Sequence, residues 1–180
     1  GTFSRETDSW FLAEENSIRG TEPSVHFADF DGDGNTDMSV AHGTDNGEEA
    51  LYGPSHVYFN TGTSSFEETL INHEATWAHD SAVADFDGDG FDDFLIGSFN
   101  GNMSLAFGAA DRSFDLYQAK SSPVGIGLAA GDFLNDGTTT VVATGGSDNQ
   151  ELYSWSTTGD ELQLTRESNL PDSRFELSKW

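Results

Sequence analysis

The chain has 180 residues, among them 32 acidic and 7 basic residues and no cysteine. This length suits one domain with a substantial core, and the formal net charge of -25 disfavours nucleic acid and anionic membrane surfaces as partners. No apolar run approaches the roughly 20 residues of a membrane helix, so we expect no membrane insertion. Because cysteine is absent, disulfides and zinc-thiolate sites are excluded, and the loops of a secreted protein would need another staple.

Internal repeats dominate the sequence. Three segments align without gaps, namely VHFADFDGDGNTDMSV (25–40), SAVADFDGDGFDDFLI (81–96) and LAAGDFLNDGTTTVVA (128–143). Their first loop aspartates, Asp29, Asp85 and Asp132, lie 56 and 47 residues apart. Spacings of this size are typical of β-propeller blades.

Each repeat predicts four strands. A short apolar run ends at an Asp/Gly-rich turn and a second run departs from it, which indicates a hairpin. Two further strands follow in each repeat: HVYFN (56–60) and SFEETL (65–70), NMSLAFG (102–108) and SFDLYQ (113–118), and ELYSW (151–155) and ELQLT (161–165). Four antiparallel strands per repeat predict an all-β fold of propeller blades.

The predicted blades cover nearly the whole chain. We expect one propeller region over residues 1–180, with repeats at about 24–71, 80–118 and 127–166. GTFSRE at the start resembles a closing strand and RFEL near the end alternates like a first strand, so 1–14 and 172–180 are predicted strands of incomplete blades. Three blades do not close a ring that needs four to eight, so we expect further blades from a longer chain or a homo-oligomer.

The first two loops share the pattern D-x-D-G-D-G-x-x-D. Carboxylates at positions 1, 3, 5 and 9 of such a loop, with a backbone carbonyl at position 7, form a cage of oxygen atoms that suits calcium, which accepts 6 to 8 oxygen ligands. We therefore predict two Ca²⁺ sites. Their ligands are Asp29, Asp31, Asp33, Asp37 and the carbonyl of Asn35, and Asp85, Asp87, Asp89, Asp93 and the carbonyl of Phe91.

Two alternatives to these sites concern the same loops. An EF-hand would need a Glu at position 12, where the chain has Val40 and Ile96, so that interpretation is excluded. A solvated Asp/Gly turn that binds nothing is the other alternative. The third loop, Asp132–Thr140, has Leu134 at position 3 and Thr140 at position 9, and we expect it to bind calcium weakly or not at all.

The segments ADFDGDGNTD and ADFDGDGFDD resemble the FG-GAP/VCBS repeats of integrin α-chain propellers and of secreted microbial and fungal proteins. The resemblance implies a propeller with calcium loops between the first and second strands of a blade, in an extracellular setting. Such propellers serve adhesion, sugar binding or the support of a catalytic domain, and the fold does not decide among these roles.

Candidate ligand contacts lie outside the calcium loops. The long connection at 41–56 is one candidate, because long loops on a rigid scaffold tend to carry function. The tryptophans either stack on sugar rings or, more commonly, pack between blades; they are Trp10, Trp77, Trp155 and Trp180. His73 and His79 flank Trp77 without a third metal ligand nearby in the sequence. We predict no catalytic residue.

These observations predict a binding module and not an enzyme. We expect a calcium-stabilised propeller, extracellular or at a cell surface, that presents loops to a protein or carbohydrate ligand. One alternative is a non-catalytic propeller region of a larger secreted polysaccharide-active enzyme. Another is a structural repeat of a surface filament.

Overall fold

The computed structural model describes residues 24–41, 55–63, 65–71, 78–98, 102–119, 127–144 and 150–167. Within these ranges the chain forms strands, turns and bends and no helix, which confirms the all-β prediction. Among the described residues no helix has the length and apolarity needed to cross a membrane.

The twelve strands of the described residues form three successive antiparallel units of four. We call these units blades 1, 2 and 3. Blade 1 contains β1 (Ser24–Ala28), β2 (Asp37–Ala41), β3 (Ser55–Asn60) and β4 (Phe66–Ile71). Blade 2 contains β5 (Ala78–Ala84), β6 (Asp93–Ser98), β7 (Ser104–Gly108) and β8 (Phe114–Gln118). Blade 3 contains β9 (Gly127–Gly131), β10 (Thr140–Thr144), β11 (Gln150–Thr158) and β12 (Glu161–Arg166).

Within each blade, consecutive strands are neighbours. Blades 2 and 3 also join along their last strands through a short parallel pairing of Gln118 with Glu161. The four-stranded blades and the strands expected from the sequence are therefore confirmed. The predicted strands at 1–14 and 172–180 lie outside the described residues, and the single propeller region over 1–180 stays a prediction.

Side-chain burial follows the position of each strand in its blade. In β1, Val25 and Phe27 are exposed and alternate with half-buried residues, as expected of a strand with one covered face. All residues of β2 and of β6 are buried. A strand buried on both faces is one that lies between two layers, so the second strand of each of these blades is an interior strand.

The hydrophobic core lies between blades. One cluster joins blades 1 and 2 and includes Phe30, Val57, Phe59, Phe94 and Ile96. A second cluster joins blades 2 and 3 and includes Phe86, Leu95, Leu105, Val141 and Leu162. Because apolar burial is the main favourable contribution to folding, each blade depends on its neighbour for stability.

The first strands of the blades meet at Asp80. Its Oδ1 accepts a hydrogen bond from Ser24 Oγ in β1 at 2.9 Å, and its Oδ2 accepts one from the backbone N–H of Leu128 in β9 at 2.7 Å. β5 contacts both β1 and β9. One carboxylate therefore ties together the first strands of all three blades, and the loops that follow these strands are held at the same end of the blades.

Candidate metal centre

The Asp/Gly loops connect the first and second strands of each blade. In each loop, the carboxylate of the aspartate at position 1 accepts a hydrogen bond from a backbone N–H later in the same turn. Asp29 Oδ2 accepts the N–H of Gly34 at 3.0 Å, and the same bond joins Asp85 to Gly90 at 3.0 Å and Asp132 to Gly137 at 2.9 Å. All three loops therefore share one backbone shape.

Glycine supplies the left-handed backbone that this shape requires. Gly32 and Gly34 in the first loop have φ angles of 71° and 85°, in a region that residues with a Cβ rarely adopt. In the third loop Asn135 stands where the first loop has Gly32, with a φ of 56°. Asparagine tolerates this conformation better than most residues, so the shape survives the substitution.

Two trios of carboxylates converge on these loops. In the first loop, ligand atoms of Asp29, Asp31 and Asp37 all lie within 4.8 Å of one another. In the second loop the trio is Asp85, Asp87 and Asp89. Each trio gathers at least two aspartates that lie close in sequence, because the turn brings alternate side chains to its inside.

Two predicted ligands lie apart from these trios. Asp33 is exposed, and its Oδ1 accepts the N–H of Asn35 at 2.8 Å. Asp93 is buried, and its two oxygens accept the N–H groups of Phe86 at 2.6 Å and Gly108 at 2.9 Å. Asp93 therefore ties its loop to the third strand of blade 2.

The equivalent aspartate of the first loop makes the same two bonds. Asp37 accepts the N–H of Phe30 at 2.9 Å and that of Asn60 at 2.8 Å. Position 9 is thus a structural brace in both loops, a role that the sequence pattern did not reveal. The predicted carbonyl ligands of Asn35 and Phe91 stay predictions; the N–H of Phe91 donates to Asp89 Oδ1 at 2.9 Å.

The loops concentrate negative charge in partly dry surroundings. Burial raises the pKa of Asp93 to about 7, with further contributions from the charges of Asp87 and Asp85. Burial also raises the pKa values of Asp37 and Asp87. A bound cation would reverse these effects, because an opposite charge nearby favours the ionised carboxylate.

The donor atoms fit calcium. The trios offer only oxygen, which hard cations prefer, and no nitrogen or sulfur, which transition metals prefer. Asp29 Oδ1 is buried without a hydrogen-bond partner, although a buried oxygen normally has one. An ion held by Asp29, Asp31 and Asp37 would satisfy that atom. The carboxylates of Asp85, Asp87 and Asp89 would hold a second ion.

The third loop lacks the aspartate brace at position 9 and the carboxylate at position 3. Thr140 stands at position 9, and its Oγ1 donates to the carbonyl of Gly131 at 3.0 Å. The N–H of Phe133 also donates to that carbonyl, at 3.0 Å. Among the described residues no acidic trio forms here. The weak or absent calcium binding of this loop stays a prediction.

The comparison with protein families concerns the first two loops. Residues 29–96 match the family model described as FG-GAP-like repeat. This part of the chain therefore carries the FG-GAP-like repeat pattern. The matched range begins at the first loop of blade 1 and ends within β6 of blade 2, so the resemblance seen in the aspartate segments is confirmed there. No curated protein matches the sequence.

Contacts between blades join the first and second loops to the blade that follows each of them. Thr139 Oγ1 of blade 3 donates to the carbonyl of Asp85 at 3.0 Å. Arg112 of blade 2 reaches Asp31 of blade 1, with 2.6 Å between Nε and Oδ2. Neither contact follows from the repeat pattern, because the partners are 54 and 81 residues apart. The rarity of basic residues in the chain was the only sequence signal for Arg112.

One described cluster on the first strands of blades 1 and 2 has the residue types of a catalytic triad. Ser24 Oγ lies 3.3 Å from His26 Nε2 and donates to Asp80 Oδ1 at 2.9 Å. The same Nε2 lies 2.8 Å from the carbonyl oxygen of Ser81, so it carries a proton and donates it there. It therefore does not accept the serine proton, and Asp80 contacts the serine instead of orienting the histidine. This arrangement does not activate a nucleophile.

The structure describes some of the other candidates from the sequence, and the rest lie outside the described residues. Trp155 packs between blades 2 and 3, with its ring centroid 5.7 Å from that of Phe86. Its indole N–H donates to the carbonyl of Thr139 at 3.0 Å. Residues 42–54 of the long connection lie outside the described residues, as do Trp10, His73, Trp77 and Trp180 and the side chain of His79.

Proposed function

We propose that this chain is a calcium-stabilised β-propeller module that works outside the cell and recognises a protein or glycan partner. The observation that carries the calcium part is the pair of convergent acidic trios on matching loops, one of which contains the buried and unpaired Asp29 Oδ1. The ion has a structural role in this proposal: it offsets two of the three negative charges of each trio and fixes the hairpin between the first two strands of the blade.

Several features support an extracellular setting. Calcium sites of extracellular modules have Kd values of about 10⁻⁴ to 10⁻³ M. Calcium concentrations in the cytosol do not reach this range. The chain has no cysteine, so ions would do the work that disulfides do in other secreted domains. The FG-GAP-like repeats point to an integrin-like propeller module, for which binding is the typical role.

The proposal predicts that calcium raises stability. A site with a Kd of about 10⁻⁴ M contributes about 2.7 kcal/mol when calcium is at a hundred times that value. Thermal and urea unfolding in EGTA and in 10 mM calcium, with 10 mM magnesium as the control for ionic strength, measure this contribution. Isothermal titration of the EGTA-treated protein should give two sites per chain.

Matched variants connect the effect to individual loops. D87N/D89N removes two carboxylates from the second trio and should abolish one site. D132N/D136N makes the same change of charge in the third loop and should leave both sites intact. Stability that responds equally to calcium and magnesium, or a stoichiometry that D87N/D89N does not change, would show that the calcium proposal is wrong.

The recognition part needs its own experiment. The strong negative charge repels anionic surfaces, so neutral glycans or basic protein surfaces suit this module best. A glycan array and a panel of extracellular proteins, each probed in calcium and in EGTA, would measure binding. Binding that needs calcium supports a module whose loops are held by the ion. Binding that is unchanged in EGTA contradicts that link.

A further inference from the structure

Arg112 lies in the turn between β7 and β8 of blade 2 and has a strained backbone. Its φ angle is 67°, and its N–H donates to the carbonyl of Ala109 at 2.9 Å. Apart from glycine, residues in this conformation are uncommon, and they persist where the surroundings hold them in place. A second hydrogen bond fixes the same turn, since Ser113 Oγ donates to Asp111 Oδ1 at 2.6 Å. The side chain is therefore presented from a fixed turn.

The guanidinium crosses to blade 1 and contacts the first acidic loop. Its Nε lies 2.6 Å from Asp31 Oδ2, and its Nη2 lies 3.5 Å from Asp33 Oδ2. Its Nη1 lies 2.7 Å from Glu67 Oε2, and its Cζ lies 5.3 Å from the ring centroid of Phe59. The planar fork of arginine suits such a set of oxygens and an aromatic face together.

The second loop has a different environment. Within the described ranges, no ion pair involves Asp87 or Asp89, the residues that correspond to Asp31 and Asp33. The side chain of Asp31 is 3% exposed, so its contact with Arg112 is shielded from solvent. Among the described residues, one loop thus faces a cation that the protein itself provides, and the other faces none.

We propose that Arg112 is the internal cation of the first loop and that it makes this loop bind calcium more weakly than the second loop. The calcium part rests on the function proposed above. An ion coordinated by Asp31 Oδ2 competes with the guanidinium for the same oxygen. When calcium is scarce, Arg112 offsets one negative charge of the first loop and holds blades 1 and 2 together, while no described residue provides a counter-ion for the second loop.

The first experiment measures the internal cation without calcium. A double-mutant cycle of R112Q and D31N, with unfolding by urea in EGTA, gives the coupling between the two side chains. R166Q with E151Q is the matched control, because Arg166 Nη2 pairs with Glu151 Oε1 at 3.0 Å in blade 3, away from the loops. We expect the first coupling to exceed the second. Equal couplings would overturn the proposal.

The second experiment measures calcium affinity at the first loop alone. On the D87N/D89N background, R112Q should lower the Kd at least about tenfold. Tenfold is the effect of one charge on a divalent ion about 6 Å away at the dielectric constant of water, and the shielded surroundings of Asp31 make the effect larger. R112K keeps the charge and should change the Kd less than R112Q does. R166Q removes an equal charge far from the loop and should leave the Kd unchanged.

The outcomes separate this proposal from the one on which it rests. If R112Q leaves the Kd within twofold of the background, Arg112 does not tune the loop. If no variant, including the unmodified chain, binds calcium, the proposed function is wrong, and the cycle in EGTA still decides whether Arg112 is the counter-ion of the loop. If R112Q does not fold, R112M removes the same charge, keeps the apolar stem of the side chain and takes the place of R112Q in the cycle.

Discussion

Phe30, Phe86 and Phe133 occupy the same loop position in the three blades but differ in burial, with 0%, 6% and 45% of each residue exposed. Phe30 meets the rings of Phe94 and Phe114 edge-on at centroid distances of 6.4 and 6.2 Å. Removing a buried phenylalanine side chain costs about 3 to 5 kcal/mol, and each aromatic pair contributes about 0.5 to 1.5 kcal/mol. We therefore expect F30A to lower the free energy of unfolding by about 4 to 5 kcal/mol.

F133A is the matched comparison. Because nearly half of Phe133 already contacts solvent, its truncation should cost less than about 1 kcal/mol. F86A should cost nearly as much as F30A, since the Phe86 ring lies 5.7 Å from that of Trp155. Urea unfolding in EGTA, followed by circular dichroism and tryptophan fluorescence, measures the three losses under identical conditions.

The result that would refute this reasoning is a similar loss for F30A and F133A. It would mean that burial against the next blade does not determine how much this position contributes to the free energy of unfolding. If F30A does not fold, F30L keeps most of the apolar volume and still removes the aromatic contacts. The predicted order of losses then applies to the leucine variants of the three residues.

Three further predictions concern the loops and the second interface. Burial raises the pKa of Asp93 from 3.8 to about 7, so the calcium-free native state keeps a proton that the unfolded chain releases. Relative to D93N, the free energy of unfolding in EGTA should fall by up to about 4 kcal/mol as the pH rises from about 4 to 7 and then stay level; a constant difference would contradict the shift. G32A and G34A should each cost about 1 kcal/mol for the left-handed backbone, and G32A more, since its Cβ would lie 2.9 Å from a Phe91 ring carbon while the space at Gly34 is open. Equal melting temperatures for these two variants would exclude the Phe91 contact. W155F should cost about 1 to 3 kcal/mol in urea unfolding, because it leaves a partly buried carbonyl without its indole donor; a loss below 0.5 kcal/mol would show that water replaces the donor.

Much of the fold can be predicted from the sequence because it depends on interactions between residues that are close along the chain. The turn bonds join residues close along the chain, such as Gly34 to Asp29 and Asp33 to Asp31. Alternation along β1 likewise depends on neighbours, with Phe27 exposed and His26 half-buried. Short-range hydrogen bonds and strand periodicity need no knowledge of the remaining chain. The repeats, the strands and the loop shape could therefore be predicted.

Only the tertiary structure shows how residues that the repeat pattern makes equivalent differ in their contacts and burial. The spacing treats Asp31 and Asp33 as equivalent ligands, yet Asp31 joins the trio and Asp33 does not. It also treats Phe30 and Phe133 alike, although Phe30 is buried against aromatic residues of the next blade and Phe133 is 45% exposed. Such differences come from contacts between blades, whose partners lie dozens of residues apart in sequence. A local sequence pattern does not indicate which side chain of another blade will contact a given residue. Arg112, 81 residues from Asp31, is the clearest case.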